Sequence, residues 1–147
     1  MISFSCQNAS DTEEKNKAVI RQIYEEMWNN HNIGIIDEIA AENIIIHGYA
    51  VQGREGYKQF VKLVFEAFPD IHFTLEDQFA KGEKEVHRWT FTGTHQGEWM
   101  GIPATGKKVT VTGMDISRFV NNKIVEDWGF HDALGVFQQL GAYPPME

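Results

Sequence analysis

The stretch IHFTLEDQFAKGEKEVHRWTFTG, residues 71–93, decides the fold. Ile71, Phe73 and Leu75 alternate with His72, Thr74 and Glu76. Further on, His87, Trp89 and Phe91 alternate with Arg88, Thr90 and Thr92. Successive side chains of a strand point to opposite faces, so each run reads as a strand with one apolar face. Lys81-Gly82-Glu83 between them reads as a turn. Downstream, a glycine-rich stretch from Gly93 to Lys107 leads into a third long strand, Val109–Phe119. Asn121-Asn122 tolerates positive φ and supplies a type I′ turn into a last strand, Lys123–Phe130.

Upstream of Pro69 the period is 3.6. Val19, Ile20, Ile23, Met27 and Trp28 share one helical face, with Asp11 or Thr12 as cap and Asn29-Asn30-His31-Asn32 as the stop. Ile35, Ile36, Ile39 and Ala40 suggest a second, brief helix, and the β-branched Ile44–His47 a strand. After Gly53, the residues Tyr57, Phe60, Val61, Val64, Phe65 and Phe68 line another helix, and Ala133–Leu140 closes the chain as a short one. Helices followed by a run of antiparallel strands predict an α+β fold, with the helices on one side of a curved sheet. The chain reads as a single domain over residues 1–147, residues 1–10 forming a frayed, flexible tail.

Composition narrows the function classes. Thirteen Lys and Arg against 21 Asp and Glu leave a net charge of −8, which repels nucleic-acid phosphates and anionic membranes. The single cysteine, Cys6, makes neither an intramolecular disulfide nor a cysteine-based zinc site. No apolar run approaches the roughly 20 residues of a membrane span, and the first residues lack the basic region of a secretory signal, so a cytoplasmic protein is expected. Ten Phe, four Tyr and four Trp are enough to line an apolar pocket.

Polar residues in step with apolar ones are the candidate site. Asp115 shares parity with Val109, Val111 and Phe119; a carboxylate in that company is desolvated toward use as a base. His95 is in step with Trp89 and Phe91, His47 with Ile45, and Asp132 with Trp128 and Phe130. Each has an architectural alternative: pairing of Asp115 with Arg118, a turn held by His95, a structural histidine at a strand end for His47, and a helix N-cap for Asp132. No metal is expected, because the histidines lack the close spacing of ligand motifs. Gly-x-Ser-x-Gly is absent, and the glycines at 93, 97, 101 and 106 precede no helix that would hold a phosphate.

Four segments together resemble the SnoaL-like polyketide cyclases of the nuclear-transport-factor-2-like superfamily. They are Phe68-Pro-Asp70, GTHQGEWMGIPATGKKV at 93–109, DISRF at 115–119 and KIVEDWGFHDALGVFQQLG at 123–141. The resemblance implies a cone of bent antiparallel sheet around a deep apolar pocket. It also implies chemistry without a cofactor, and a homodimer or homotetramer assembled through the sheet. His95 matches the histidine of the family's GTHxG motif, Asp115 falls where the cyclases carry a pocket histidine, and His47 falls on a pocket asparagine. Gly129 falls on their general acid–base aspartate, with Asp127 and Asp132 to either side.

The expected activity is cofactor-free acid–base chemistry on a small, apolar carbonyl compound, by aldol cyclisation or isomerisation. Asp115 is the expected base, His95 and His47 the hydrogen-bond donors to the enolate, and Trp89, Phe91, Trp128 and Phe130 the water-excluding wall. Asp132 is a further candidate at the pocket. The rivals are a non-catalytic binder of lipophilic compounds, an epoxide-hydrolase-like enzyme, and an interaction module whose pocket is plugged by Trp99 or Met100. A cavity of roughly 300 Å³ or more would disfavour the plug.

Overall fold

The computed structural model describes the backbone of residues 3–142, and side-chain surroundings from residue 9 onward. Helix α1 runs Ser3–Gln22 and continues as a π-helical segment, Ile23–Asn29. It starts upstream of the Asp11 cap, since nothing between Ser3 and Ser10 is a helix breaker. The described part of the expected tail is therefore helical; Met1 and Ile2 lie outside the described residues. A 3₁₀ turn, Ile33–Ile35, and α2, Ile36–Ile39, lead into β1, Ala40–His47. A two-residue strand, β2 (Val51–Gln52), precedes α3 (Gly53–Ala67). The remaining strands are β3 (His72–Lys81), β4 (Lys84–Thr94), β5 (Lys108–Val120) and β6 (Lys123–His131), and α4 (Ala133–Leu140) ends the fold.

The strands form one sheet in the order β2-β1-β6-β5-β4-β3. The expectation of a wholly antiparallel sheet needs one correction: β1 runs parallel to β6, because α3 and the three strands after it intervene between the two. The expected turns form. Register closes at Lys81↔Lys84 and Val120↔Lys123, and Asn121 and Asn122 adopt φ of 49° and 61°. No helix among the described residues is long and apolar enough to cross a membrane.

The helices bury their apolar stripes against the inner face of the sheet. Ile20, Ile23, Tyr24, Met27 and Trp28 are all buried. The Trp28 ring lies 4.8 Å from that of Phe73, which in turn contacts Trp89 at 5.3 Å and Phe91 at 5.4 Å. Asn29 at the end of the π-helical segment satisfies the edge strand, accepting from Phe73 N at 2.8 Å and donating to its carbonyl at 2.9 Å. An unpaired strand edge is thereby partly covered.

Two bulges break the alternation. In β3 the register slips between Leu75 and Asp77, which leaves Phe79 68% exposed. In β6 it slips between Ile124 and Glu126, so Val125 is the extra residue. Beyond a bulge the inward parity is reversed. Gly113 of β5 faces Trp89 of β4 in register, and a Cβ there would lie 2.2 Å from Trp89 Cζ2. The missing side chain is the space that the indole fills. Its backbone is ordinary strand, so Gly113→Ala tests the contact alone. The expected loss is about 2 kcal/mol, within the overpacking range, measured by urea unfolding; unchanged stability would show that the indole has room to retreat.

Candidate active site

Three neighbouring strands bring polar side chains to the concave face. Strand β4 supplies Glu85, His87 and Trp89, β5 supplies Asp115 and Ser117, and β6 supplies Asp127 and His131. The cavity over them measures about 130 Å³ and is otherwise lined by aromatic and aliphatic groups, among them Tyr24, Tyr49, Tyr57, Phe60 and Trp99. That is close to the roughly 150 Å³ of an apolar cavity that holds one benzene ring. It falls below the 300 Å³ mark, so size alone leaves the plugged reading standing. Trp99 is a wall of the cavity, whereas Met100 is 63% exposed and not in it.

Asp115 is held by one oxygen. Trp89 Nε1 donates to Oδ2 at 3.0 Å, and His87 Nε2 lies 3.4 Å from the same oxygen. Gly129 stands opposite Asp115 in register, and a Cβ there would come within 2.9 Å of Oδ1. Among the described residues no group donates to Oδ1. The side chain keeps 20% of its surface exposed and lines the cavity, so the second oxygen has room to meet a ligand.

Behind Asp115 a polar chain runs to the surface. His87 Nδ1 donates to Glu85 Oε2 at 2.7 Å, Gln78 Nε2 donates to Glu85 Oε1 at 2.9 Å, and Arg21 donates to Gln78 Oε1 at 2.7 Å. Glu85 has no exposed surface and His87 only 4%. Burial pulls the His87 pKa down, but its hydrogen bonds to Asp115 and Glu85 outweigh that and push it up to about 9. An imidazolium thus sits between two carboxylates.

Asp127 lines the cavity, partly buried, and accepts from Ser117 Oγ at 2.5 Å. Burial first, and then the charge of Asp115, push its pKa up to about 7, against the opposing pull of Ser117 and His87. Also lining the cavity, the Tyr49 hydroxyl and His131 Nδ1 share a hydrogen bond of 2.9 Å. Burial holds His131 below the usual imidazole range and raises Tyr49 to about 12, so both are neutral near pH 7. Among the described residues, no three His, Cys, Asp or Glu side chains are grouped to hold a metal ion.

The structure places Asp115, Trp89 and Phe91 in the cavity. Arg118 pairs with Glu126 at 2.7 Å, not with Asp115. Five other expected site residues lie elsewhere. His95 is buried behind Phe68, its Nδ1 tied to Thr105 Oγ1 at 3.0 Å, because β4 ends at Thr94 and the chain turns there. His47 stacks at 4.9 Å on Trp128, and Phe130 is 69% exposed; the bulge at Val125 turns these β6 residues away from the cavity. Asp132 accepts from Gly135 N at 2.8 Å as the N-cap of α4. Glu85 was open to discovery by parity with His87, whereas Asp127 and His131 were concealed by the bulge. Tyr49 lies in a turn without periodic pattern.

The comparisons with known proteins agree with this architecture. The model of the SnoaL-like polyketide cyclase family matches residues 18–140, most of the chain. The chain belongs to the SnoaL-like polyketide cyclase family. Aklanonic acid methyl ester cyclase DnrD of Streptomyces peucetius is 25% identical over 124 residues, spanning 78% of this chain and 86% of that protein. A SnoaL-like protein of Jannaschia sp. CCS1 superposes with a TM-score of 0.82 at 25% identity, over 90% of this chain and 95% of its own. TsrD of Streptomyces laurentii gives 0.83 at 27% identity, over 88% and 97%.

The raised Asp127 pKa has a consequence for stability. A carboxyl that holds its proton more tightly when folded stabilises fully below the unfolded value near 3.8, and loses that contribution as pH rises through about 7. Asp127→Asn removes the group. The Tm of wild type should therefore fall relative to the variant between pH 4 and 8; a constant difference across that range would contradict the assignment.

Proposed function

We propose that the protein is a general acid–base enzyme that removes a proton alpha to the carbonyl of a small, apolar compound, with Asp115 as the base. The observation that carries this reading is the asymmetric setting of one carboxylate. Oδ2 is fixed by Trp89 and His87, while Oδ1 faces an apolar cavity over the bare backbone of Gly129. A base needs this combination, since a fixed orientation saves the entropy of alignment and an apolar wall excludes competing water. Glu85 and His87 act through Asp115, keeping its carboxylate in one rotamer.

The enolate formed by loss of the α-proton adds to a second carbonyl of the same molecule in an aldol closure, or is reprotonated elsewhere in an isomerisation. Ring closure is favoured by the two curated relatives, both named as aklanonic acid methyl ester cyclases. The 130 Å³ cavity favours a ligand of about one ring. No cofactor is required by either route. The reading includes assembly as a homodimer or homotetramer through the outer sheet face, where Met114 and Phe130 pair in register and are 47% and 69% exposed.

The test is NMR-detected deuterium exchange at the α-carbon of a panel of β-keto esters and cyclic ketones. Wild type should catalyse exchange, and Asp115→Asn should slow it by at least about 10²-fold, the low end for a general base. Equal rates would dismiss Asp115, and tight binding without exchange would mark a carrier of lipophilic compounds. Sedimentation velocity at micromolar concentration should show a dimer or larger species; a monomer would remove the assembly from the reading.

A further inference from the structure

We propose that Asp127 is the general acid of this site, handing a proton to the carbonyl oxygen of a neutral, single-ring-sized ketone while Asp115 accepts one from the adjacent carbon. The inference rests on the proposed role of Asp115 and adds the second partner and the ligand's charge class. In the β5–β6 register Asp115 opposes Gly129, and Ser117 opposes Asp127. The two carboxyl groups are therefore diagonal neighbours on one face of the sheet, with backbones roughly 7–8 Å apart. The other two corners of that square are Ser117 and Gly129; Asp115 Oδ1 lies over the bare backbone of Gly129, and both acids line the one cavity. A flat ligand lying there reaches both.

Asp127 is equipped to donate. Its Oδ2 accepts from Ser117 Oγ, and among the described residues no group donates to its other oxygen. A neutral carboxyl of this kind has its proton on the unpartnered oxygen, free to point into the cavity that Asp127 lines. Every element packed around it contributes to its charge state. From the strands, Asp115 and Glu85 favour the proton and His87 opposes it. From α3, the α1 continuation and the β1–β2 turn, the tyrosines 57, 24 and 49 stay neutral, each raised by burial. Asp115 has two donors on one oxygen where Asp127 has burial and a serine, so the environments part their roles into base and acid.

The chemistry balances without a co-reactant. The Cα–H bond breaks, its proton goes to Asp115 Oδ1, and its electron pair becomes the C=C bond. The carbonyl π pair takes the proton of Asp127, leaving an enol, a neutral Asp115 and an ionised Asp127. The pair carries one negative charge before and after the step, so it avoids the repulsion of two adjacent carboxylates. A ligand that is itself a carboxylate would bring that repulsion back, and the site is therefore one for uncharged carbonyl compounds.

The experiment uses cyclohexanone labelled with ¹³C at the carbonyl, followed by NMR with wild type, Asp115→Asn, Asp127→Asn and Asp127→Val. In wild type the bound carbonyl resonance should move downfield below about pH 7, where Asp127 holds its proton. The shift should vanish above that pH, and should be absent at every pH in Asp127→Val. Asp127→Asn still donates a hydrogen bond but transfers no proton, so it should retain part of the shift while α-exchange falls about 10²-fold. An unshifted carbonyl in wild type, or exchange at the wild-type rate in Asp127→Asn, overturns the proposal even if Asp115→Asn abolishes exchange. A shifted carbonyl without exchange in wild type upholds Asp127 as donor and removes Asp115 as base. Failure of the ketone to bind at millimolar concentration, with cyclohexanecarboxylate binding instead, overturns the ligand class.

Discussion

One inserted residue governs which side chains meet in this protein. In β6, Ile124 faces the core opposite Phe119, and the next inward residue would be Glu126 if the ladder continued unbroken. Val125 is squeezed in as a bulge instead, and the pairing resumes with Glu126 opposite Arg118. From there on the odd-numbered residues face inward. Asp127, Gly129 and His131 reach the cavity, while Glu126, Trp128 and Phe130 are left on the outer face. Without that half-turn Glu126 and the two large rings would fill the cavity, and Asp127 would be turned out of it.

The acid that the bulge turns inward joins two others, and the interior tolerates all three. Glu85, Asp115 and Asp127 all lie on the concave face, where charge is poorly solvated. Only His87 offers a full positive charge among them. It neutralises Glu85 and Asp115 together, and Gln78 satisfies the remaining oxygen of Glu85. Buried ions survive when they are paired and hydrogen-bonded. Asp127 adopts the other solution, with burial holding its proton up to about pH 7. The arrangement divides one cation among three acids by letting one of them stay neutral.

Local periodicity made most of the architecture legible. The uninterrupted alternation of β4 correctly assigned His87, Trp89 and Phe91 to the inner face, and the Asn121-Asn122 pair forms the turn that its chemistry demands. Pro69 ends α3 within two residues of where the helix stops. What stayed hidden were features that depend on partner strands. A bulge is a mismatch between two strands, so the sequence of β6 alone gave no sign that Trp128 and Phe130 turn outward. The parallel pairing of β1 with β6 is likewise a property of the closed fold. His95 was misplaced for a simpler reason, as the strand that would have carried it inward ends one residue earlier.

The opposition of Asp115 and Gly129 has a consequence for how this chain can change. The two positions share a single slot: a methyl group at 129 already reaches the Asp115 carboxylate. Residues in such contact are energetically coupled, so their substitutions do not add. A side chain at 129 has to push the Asp115 carboxylate from its place, so the two positions change together rather than singly.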